Sequence, residues 1–176
     1  MKWQQLIAEV YRRMSREYEN VLDGLTLGDL HKRPAPDANT IGWLLWHTAR
    51  SYDRTLGDVM YGEQLWTKEG WYRKFNRSSD PDDTGYRHNF EEVGNLRIPD
   101  IRTLIDYQRA VIKASIEYVE KLTEEELDRE CPLSTHPGTT ASVGRRIIGN
   151  INDCYQHLGQ AAYVRGLIQK QGWLGK

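Results

Sequence analysis

The chain has 176 residues, a length that suits one domain with one hydrophobic core. Its 24 Lys and Arg against 25 Asp and Glu leave a formal net charge of -1, which does not favour nucleic acid or anionic membranes as partners. No apolar run approaches the roughly 18 residues that span a bilayer, and Met1–Gln5 lacks the apolar stretch of a signal peptide. We therefore predict a single cytoplasmic domain over residues 1–176, with a small neutral ligand or another protein as its partner.

Apolar residues at three- and four-residue spacing predict a first long helix over Trp3–Leu22, which ends near Gly24. The next segment, Leu25–Pro36, contains two prolines and is typical of a short helical turn followed by a loop. Thr40 then offers a capping side chain before a second long helix, which we predict to run to about Tyr61.

Helical periodicity fails between Gly62 and Pro99. Glycine, aspartate and proline appear there among aromatic and histidine residues, which are Trp66, Trp71, Tyr72, Phe75, Tyr86, His88 and Phe90. Connections of this length are uncommon in compact domains unless they form or cover a site. We predict a long crossover that either serves as a lid or pocket wall or merely closes one end of the molecule.

The clearest helical repeat runs from Leu104 to Leu122 and predicts a third long helix. Thr123 and Glu126 have the spacing of a capping box, which predicts a short extra turn over Glu124–Arg129. A loop through Cys131 and His136 follows.

Helical spacing returns over Val143–Ile168, with Thr140 as its expected cap. Four long helices with one long crossover between the second and third predict an all-α four-helix bundle whose middle pair can run parallel. The two cysteines make neither a disulfide framework nor a thiolate zinc cluster. Cys154 falls on the apolar side of the fourth helix, where we predict a buried, inert thiol.

Three side chains on two of these helices could carry chemistry. His47 lies at the edge of the apolar stripe of the second helix. Asp153 and His157 are four residues apart, so they stack on one flank of the fourth helix. Two imidazoles and one carboxylate suit a divalent transition metal such as nickel, zinc, iron or manganese, and three protein ligands leave coordination positions open for a water or thiol.

Other interpretations of this trio stay open. Asp153 and His157 could form a local ion pair, with His47 a hydrogen-bonded edge histidine. The chain would then be a metal-free binding module for a small molecule or a protein. Two histidines and one carboxylate are also the ligands of iron oxygenases, although these usually have a different fold.

Other charged side chains and histidines carry weaker signals. Four arginines could neutralise an anionic substrate, but arginines on helix flanks usually cover apolar surface and make modest surface pairs, so a functional role is not favoured. These are Arg50, Arg54, Arg146 and Arg165. Three histidines lie in predicted loops without ligand-spaced partners, and we do not predict them as ligands: His31, His88 and His136.

Two motifs resemble the DinB/YfiT group of helical bundles. Asn39–His47 (NTIGWLLWH) resembles its second-helix motif and His157–Gly166 (HLGQAAYVRG) its last-helix motif, and the similarity covers nearly the whole chain. The resemblance implies a four-helix bundle, often a homodimer, with a divalent metal held by three histidines. The group takes its name from a damage-inducible bacterial gene. Relatives with known activities are thiol-dependent transferases and isomerases that use low-molecular-weight thiols such as mycothiol or bacillithiol.

By position, His47 matches the second-helix ligand of this family, and His157 matches the second histidine of its His-x-x-x-His pair. Asp153 stands where the family has the first histidine. A carboxylate is harder, negatively charged and shorter in reach than imidazole, so this difference alters which metals suit the site. The resemblance implies a divalent-metal-dependent S-transferase or isomerase acting on a small molecule, with His47, Asp153 and His157 as metal ligands.

Overall fold

The computed structural model describes residues 1–60 and 62–171. In chain order its elements are α1 (Trp3–Leu22), α2 (Leu27–Leu30), α3 (Ile41–Met60), α4 (Leu65–Lys68), α5 (Trp71–Lys74), α6 (Phe90–Asn95), α7 (Ile101–Val119), α8 (Glu124–Asp128), β1 (Glu130–Pro132), β2 (Thr140–Ser142) and α9 (Val143–Gln169). The long helices α1, α3, α7 and α9 form a bundle, which confirms the predicted all-α fold class. Tyr61, where we predicted the second long helix to end, lies outside the described residues.

Contacts between the helices establish their directions. The Tyr107 hydroxyl donates to Asp53 at 2.7 Å and the Tyr118 hydroxyl donates to the Val59 carbonyl at 3.2 Å, so α3 and α7 run parallel. This is the middle pair for which the sequence allowed a parallel arrangement. By contrast, α3 and α9 are antiparallel, because positions late in α3 contact positions early in α9.

The helix α3 lies at the centre of the molecule. All of its residues except Asp58 and Met60 are buried, because α1, α7, α9 and the crossover pack around it. Its start is capped as predicted, since the Thr40 hydroxyl accepts the Trp43 N–H at 3.1 Å. The polar side chains of α3 are consequently buried too, and they need partners within the fold.

The crossover packs on α3 through buried polar contacts. The Asp53 carboxylate accepts the backbone N–H groups of Leu65 and Trp66 at 2.8 and 2.7 Å. Arg50 donates to the carbonyls of Pro81 and Asp83 at 2.9 and 3.0 Å. Arg50 is 0% exposed, which differs from the helix-flank position expected from the sequence. The crossover contains α4, α5 and α6, whose four to six residues are too few to show a helical period.

The segment before α9 differs from the predicted loop. Cys131 lies in β1, which pairs antiparallel with β2. The cap of α9 is Ser142, whose side chain accepts the Arg145 N–H, and not Thr140, which starts β2. The predicted capping box of Thr123 and Glu126 is confirmed at α8.

Both cysteines are free and buried. Burial raises the pKa of the Cys154 thiol well above its ordinary value, which agrees with the inert core thiol predicted for this position. No helix within the described ranges combines the length and apolar character needed to cross a membrane.

Candidate metal centre

The antiparallel packing of α3 on α9 brings His47 opposite Asp153 and His157. One candidate ligand atom from each of these three residues lies within 4.8 Å of the others. The two imidazole rings are 4.8 Å apart between centroids at an interplanar angle of 79°, and His157 Nε2 lies 3.6 Å from Asp153 Oδ1. The structure thus brings together the three residues named from the sequence.

Hydrogen bonds orient both imidazoles. His47 Nδ1 lies 2.5 Å from the Thr84 carbonyl oxygen, and His157 Nδ1 lies 3.0 Å from Gln160 Oε1. An oxygen of this kind only accepts, so Nδ1 carries a proton in each ring, and Nε2 is the candidate ligand atom. Metal-binding histidines commonly donate their second ring N–H to a carbonyl or carboxylate in this way.

The surroundings of His47 keep its imidazole neutral. Burial lowers the pKa of His47 to about 4, although the bond to Thr84 opposes that shift. The Trp43 ring stacks on the imidazole with centroids 4.8 Å apart and planes 12° from parallel. A neutral imidazole is the form that binds a metal, so this residue needs no deprotonation near neutral pH.

Gly85 also lies close to the His47 imidazole. Its φ of +84° belongs to the left-handed region that favours glycine. A Cβ built there would stand 3.2 Å from His47 Nδ1 and 3.1 Å from the Trp46 ring. The absence of a side chain therefore lets the crossover approach closely enough for Thr84 to bond His47.

The three side chains fit a divalent ion with modest adjustment. Ligand atoms about 2.1 Å from a tetrahedral ion are roughly 3.4 Å apart, so the widest spacing in the trio, 4.8 Å, would have to close by roughly 1.4 Å through side-chain rotations. The side chain of Asp153 is 49% exposed, whereas that of His157 is 18% exposed. The site therefore opens on the Asp153 side, where coordination positions stay accessible.

This open side faces a cavity of about 390 Å³ between α3, α9, the crossover and the segment before α9. Further walls of the cavity include Arg54, Tyr86, Arg87, His136 and Arg146. The sequence placed Arg54 on the helix face of His47 and Arg146 near Asp153 and His157 but favoured neither as a functional residue, and it gave no role to His136. They reach the cavity through packing of distant segments, as when His136 approaches the Tyr86 ring at 6.5 Å.

Two other histidines have structural partners, in agreement with our not predicting them as ligands. His31 Nε2 accepts the Ile98 N–H at 2.9 Å, and His88 Nδ1 accepts the indole N–H of Trp43 at 3.2 Å.

A larger groove of about 870 Å³ lies elsewhere, between α1 and α9. Its walls are largely apolar and include Val21, Leu158, Tyr163 and Leu167. Within the part of the chain that the structure describes, the only cluster of at least three metal-ligating residues is His47, Asp153 and His157. We assign the candidate site by its chemistry rather than by the size of the cavity.

Comparisons with known proteins agree with this architecture. The family model described as the DinB superfamily matches residues 11–161, a range that contains His47, Asp153 and His157. The solved structure of a conserved protein from Enterococcus faecalis superposes with a TM-score of 0.85 at 27% sequence identity, covering 97% of this chain and 99% of that chain. The comparison with curated proteins gives no match.

Proposed function

We propose, since this chain belongs to the DinB superfamily of metal-binding bundles, that it is a divalent-metal-dependent enzyme whose ion is held by His47, Asp153 and His157. One observation carries the proposal: candidate ligand atoms of two histidines and one carboxylate lie within 4.8 Å of one another, and each imidazole bonds an oxygen acceptor through Nδ1.

The three proposed ligands differ in how exposed they are. His47, neutral and fixed by Thr84 and Trp43, supplies a rigid ligand on the closed side. His157 and Asp153 supply ligands on the open side, next to the 390 Å³ cavity. A bound divalent ion would lower the pKa of a coordinated thiol or water, which makes a nucleophile near neutral pH.

We propose a low-molecular-weight thiol as the nucleophile and an S-transferase or isomerase reaction on a small molecule. Support for thiol chemistry comes from the resemblance to thiol-dependent relatives, and the cavity has the size of a site for a small ligand. Nickel, zinc, iron and manganese are the proposed metals, because imidazole and carboxylate ligands suit all four.

The first test is elemental analysis of protein purified without a metal-affinity tag and then dialysed against each of the four metals. We expect the wild type to hold about one ion per chain, as three-ligand sites do, and His47→Ala and His157→Ala to hold none. His136→Ala is the matched control, because His136 lines the same cavity outside the trio, and it should keep its ion. Far-ultraviolet circular dichroism checks that all variants stay helical.

Retention of stoichiometric metal by both His47→Ala and His157→Ala would contradict the proposed ligands. A wild type that takes up none of the four metals, and whose ligand binding is unchanged by chelator, would favour the metal-free binding module. Turnover of electrophiles with several thiols tests the reaction class, and oxygen consumption by the iron-loaded protein would point instead to an oxygenase.

Three organisational properties remain proposals: one domain over residues 1–176, a homodimer and a cytoplasmic location. Static light scattering tests the dimer, for which we expect twice the chain mass of 20.5 kDa. The monomer mass at all concentrations would contradict it.

A further inference from the structure

Arg54 is a buried charge without a close ion-pair partner among the described residues. It is 7% exposed, and none of the described residues places a carboxylate within 4.0 Å of its guanidinium. Its described contacts are a hydrogen bond from Nη1 to the Thr84 hydroxyl at 3.1 Å and the Tyr86 ring, whose centroid is 5.8 Å from Cζ. Burying a charge without an opposite charge costs several kcal/mol, so this arrangement needs a reason.

The other arginines of the cavity are accounted for. Arg146 pairs with Asp58 at 2.6 Å, and Arg87 is exposed to solvent. Water and the protein thus compensate these two charges, whereas Arg54 faces the cavity in a largely dry position. Burial also lowers the pKa of the Arg54 guanidinium, and the more distant carboxylates of Asp58 and Asp82 offset that shift only in part.

Thr84 joins this arginine to the candidate metal centre. Its carbonyl oxygen accepts from His47 and its hydroxyl accepts from Arg54, so one crossover residue holds both side chains. His47 and Arg54 are seven residues apart on α3, which places them on the same helix face at a separation of about 10 Å along the axis. A molecule in the cavity can therefore reach both groups at once.

The local charge differs from that of the whole chain. Arg54, Arg87 and Arg146 line the cavity together with the carboxylate of Asp153, and Asp58, which attracts Arg54, is already paired with Arg146. A divalent ion at the centre would add further positive charge. A concave site of this sign concentrates anions, which favours an anionic ligand over the small neutral one expected from the net charge.

We infer that Arg54 is a substrate-binding residue that pairs with an oxyanion, a carboxylate or phosphate, on the small molecule that enters this cavity. The planar guanidinium donates two parallel N–H groups to the two oxygens of such a group. The pairing supplies the missing negative charge and sets the substrate's orientation towards His47. The oxyanion site itself does not depend on a metal, whereas its role in positioning a substrate rests on the proposed function.

The test is a titration of metal-free protein in chelator, followed by two-dimensional ¹H–¹⁵N NMR. The probes are propionate, inorganic phosphate and propionamide, which is the uncharged counterpart of propionate. We expect propionate or phosphate to bind the wild type about tenfold or more tightly than propionamide. Preference for propionate assigns a carboxylate and preference for phosphate assigns a phosphate.

Two variants locate the binding. Arg54→Gln should lose the preference for the anion, whereas Arg87→Gln, which removes an exposed arginine from the same cavity, should keep it. Arg54→Lys retains the charge without the paired donors and should fall between the wild type and Arg54→Gln. A wild type without preference, or an Arg54→Gln protein that folds and keeps the preference, would overturn the inference.

The same titration with His157→Ala separates this inference from the proposed function. We expect this variant to keep the anion preference while it loses the metal. If the wild type binds no metal but prefers the anion through Arg54, the metal-dependent function fails and the oxyanion site stands. If metal binds as proposed and the preference is absent, only the oxyanion site fails.

Discussion

Two arginines one helical turn apart on α3 have opposite environments. Arg50 is fully buried and donates to Asp53 at 3.2 Å, to the Tyr107 hydroxyl at 3.0 Å and to two crossover carbonyls, while its guanidinium lies 4.3 Å from the centroid of the Trp66 ring. Arg54, nearly as buried, has one described hydrogen bond, to Thr84.

The difference separates structure from function on a single helix. The satisfied cluster of Arg50, Asp53 and Tyr107 fastens the crossover to the bundle, as fully paired buried networks do. The fastened crossover places Thr84 and Gly85 next to His47, where polar groups such as the Arg54 guanidinium have fewer partners within the protein. The polar groups around Arg50 are bonded to one another and stabilise the fold. Those around His47 and Arg54 stay available for a ligand.

The largest expected effect on the contrast between Arg50 and Arg54 is that of Arg50→Met. The variant leaves the Asp53 carboxylate buried without its cation, so we expect the free energy of unfolding in urea to fall by about 3–5 kcal/mol. Arg109→Met is the control, because Arg109 pairs with Glu19 at the surface and its loss should cost less than about 1 kcal/mol. Equal losses in both variants would show that the buried network does not stabilise the fold.

A pH series tests the buried imidazole in chelator-treated protein. The unfolded chain binds a proton on this histidine near pH 6.5 and the folded protein binds it near pH 4. The unfolded state therefore holds more protons between these values, and stability should fall by roughly 3 kcal/mol as the pH drops through that window. His47→Gln should lose this slope and His136→Gln should keep it. An unchanged slope in His47→Gln would assign the effect elsewhere.

Two glycines with the same φ angle allow a test of whether close packing at His47 matters. Gly85 and Gly138 both have φ of +84°, but a Cβ at Gly138 meets nothing within 4 Å. Each alanine variant should lose about 1 kcal/mol from left-handed strain. We expect Gly85→Ala to lose about 2 kcal/mol more through overpacking and also to bind metal more weakly, as measured by calorimetry. Identical behaviour of the two variants would contradict the close approach to His47.

The smallest effect is expected from Arg54→Met. Methionine replaces the buried stem and removes an unpaired charge, so stability should change by less than about 1 kcal/mol in either direction. Urea unfolding beside Arg50→Met measures the contrast directly. A loss as large as that of Arg50→Met would mean that Arg54 also belongs to the structural network.

The long helices could be predicted because each has enough turns to show a hydrophobic period. The short helices α4 to α6 and the three-residue strands are below that length, and they form because the bundle supplies their contacts. Trp66 illustrates this point: its backbone N–H bonds Asp53, which lies 13 positions earlier in the chain. The spacing of neighbouring residues cannot predict a hydrogen bond between such distant positions.

The residues of the candidate site also differ in whether a local sequence pattern reveals them. Asp153 and His157 share a helix face, so their spacing is visible in the sequence, and His47 was indicated by its position at the edge of an apolar stripe and then by the family resemblance. Arg54 and Thr84 are 30 positions apart, and the relation between them exists only once the crossover folds back. Identical side chains, such as those of Arg50 and Arg54, become distinguishable only when their partners are known.

The most direct test of the metal centre is anomalous diffraction from crystals of the zinc-loaded protein, recorded at the zinc edge. We expect one peak in the cavity, at about 2.0–2.2 Å from Nε2 of His47, Nε2 of His157 and a carboxylate oxygen of Asp153. A peak bonded to none or only one of these residues, or no peak in fully loaded crystals, would contradict the account.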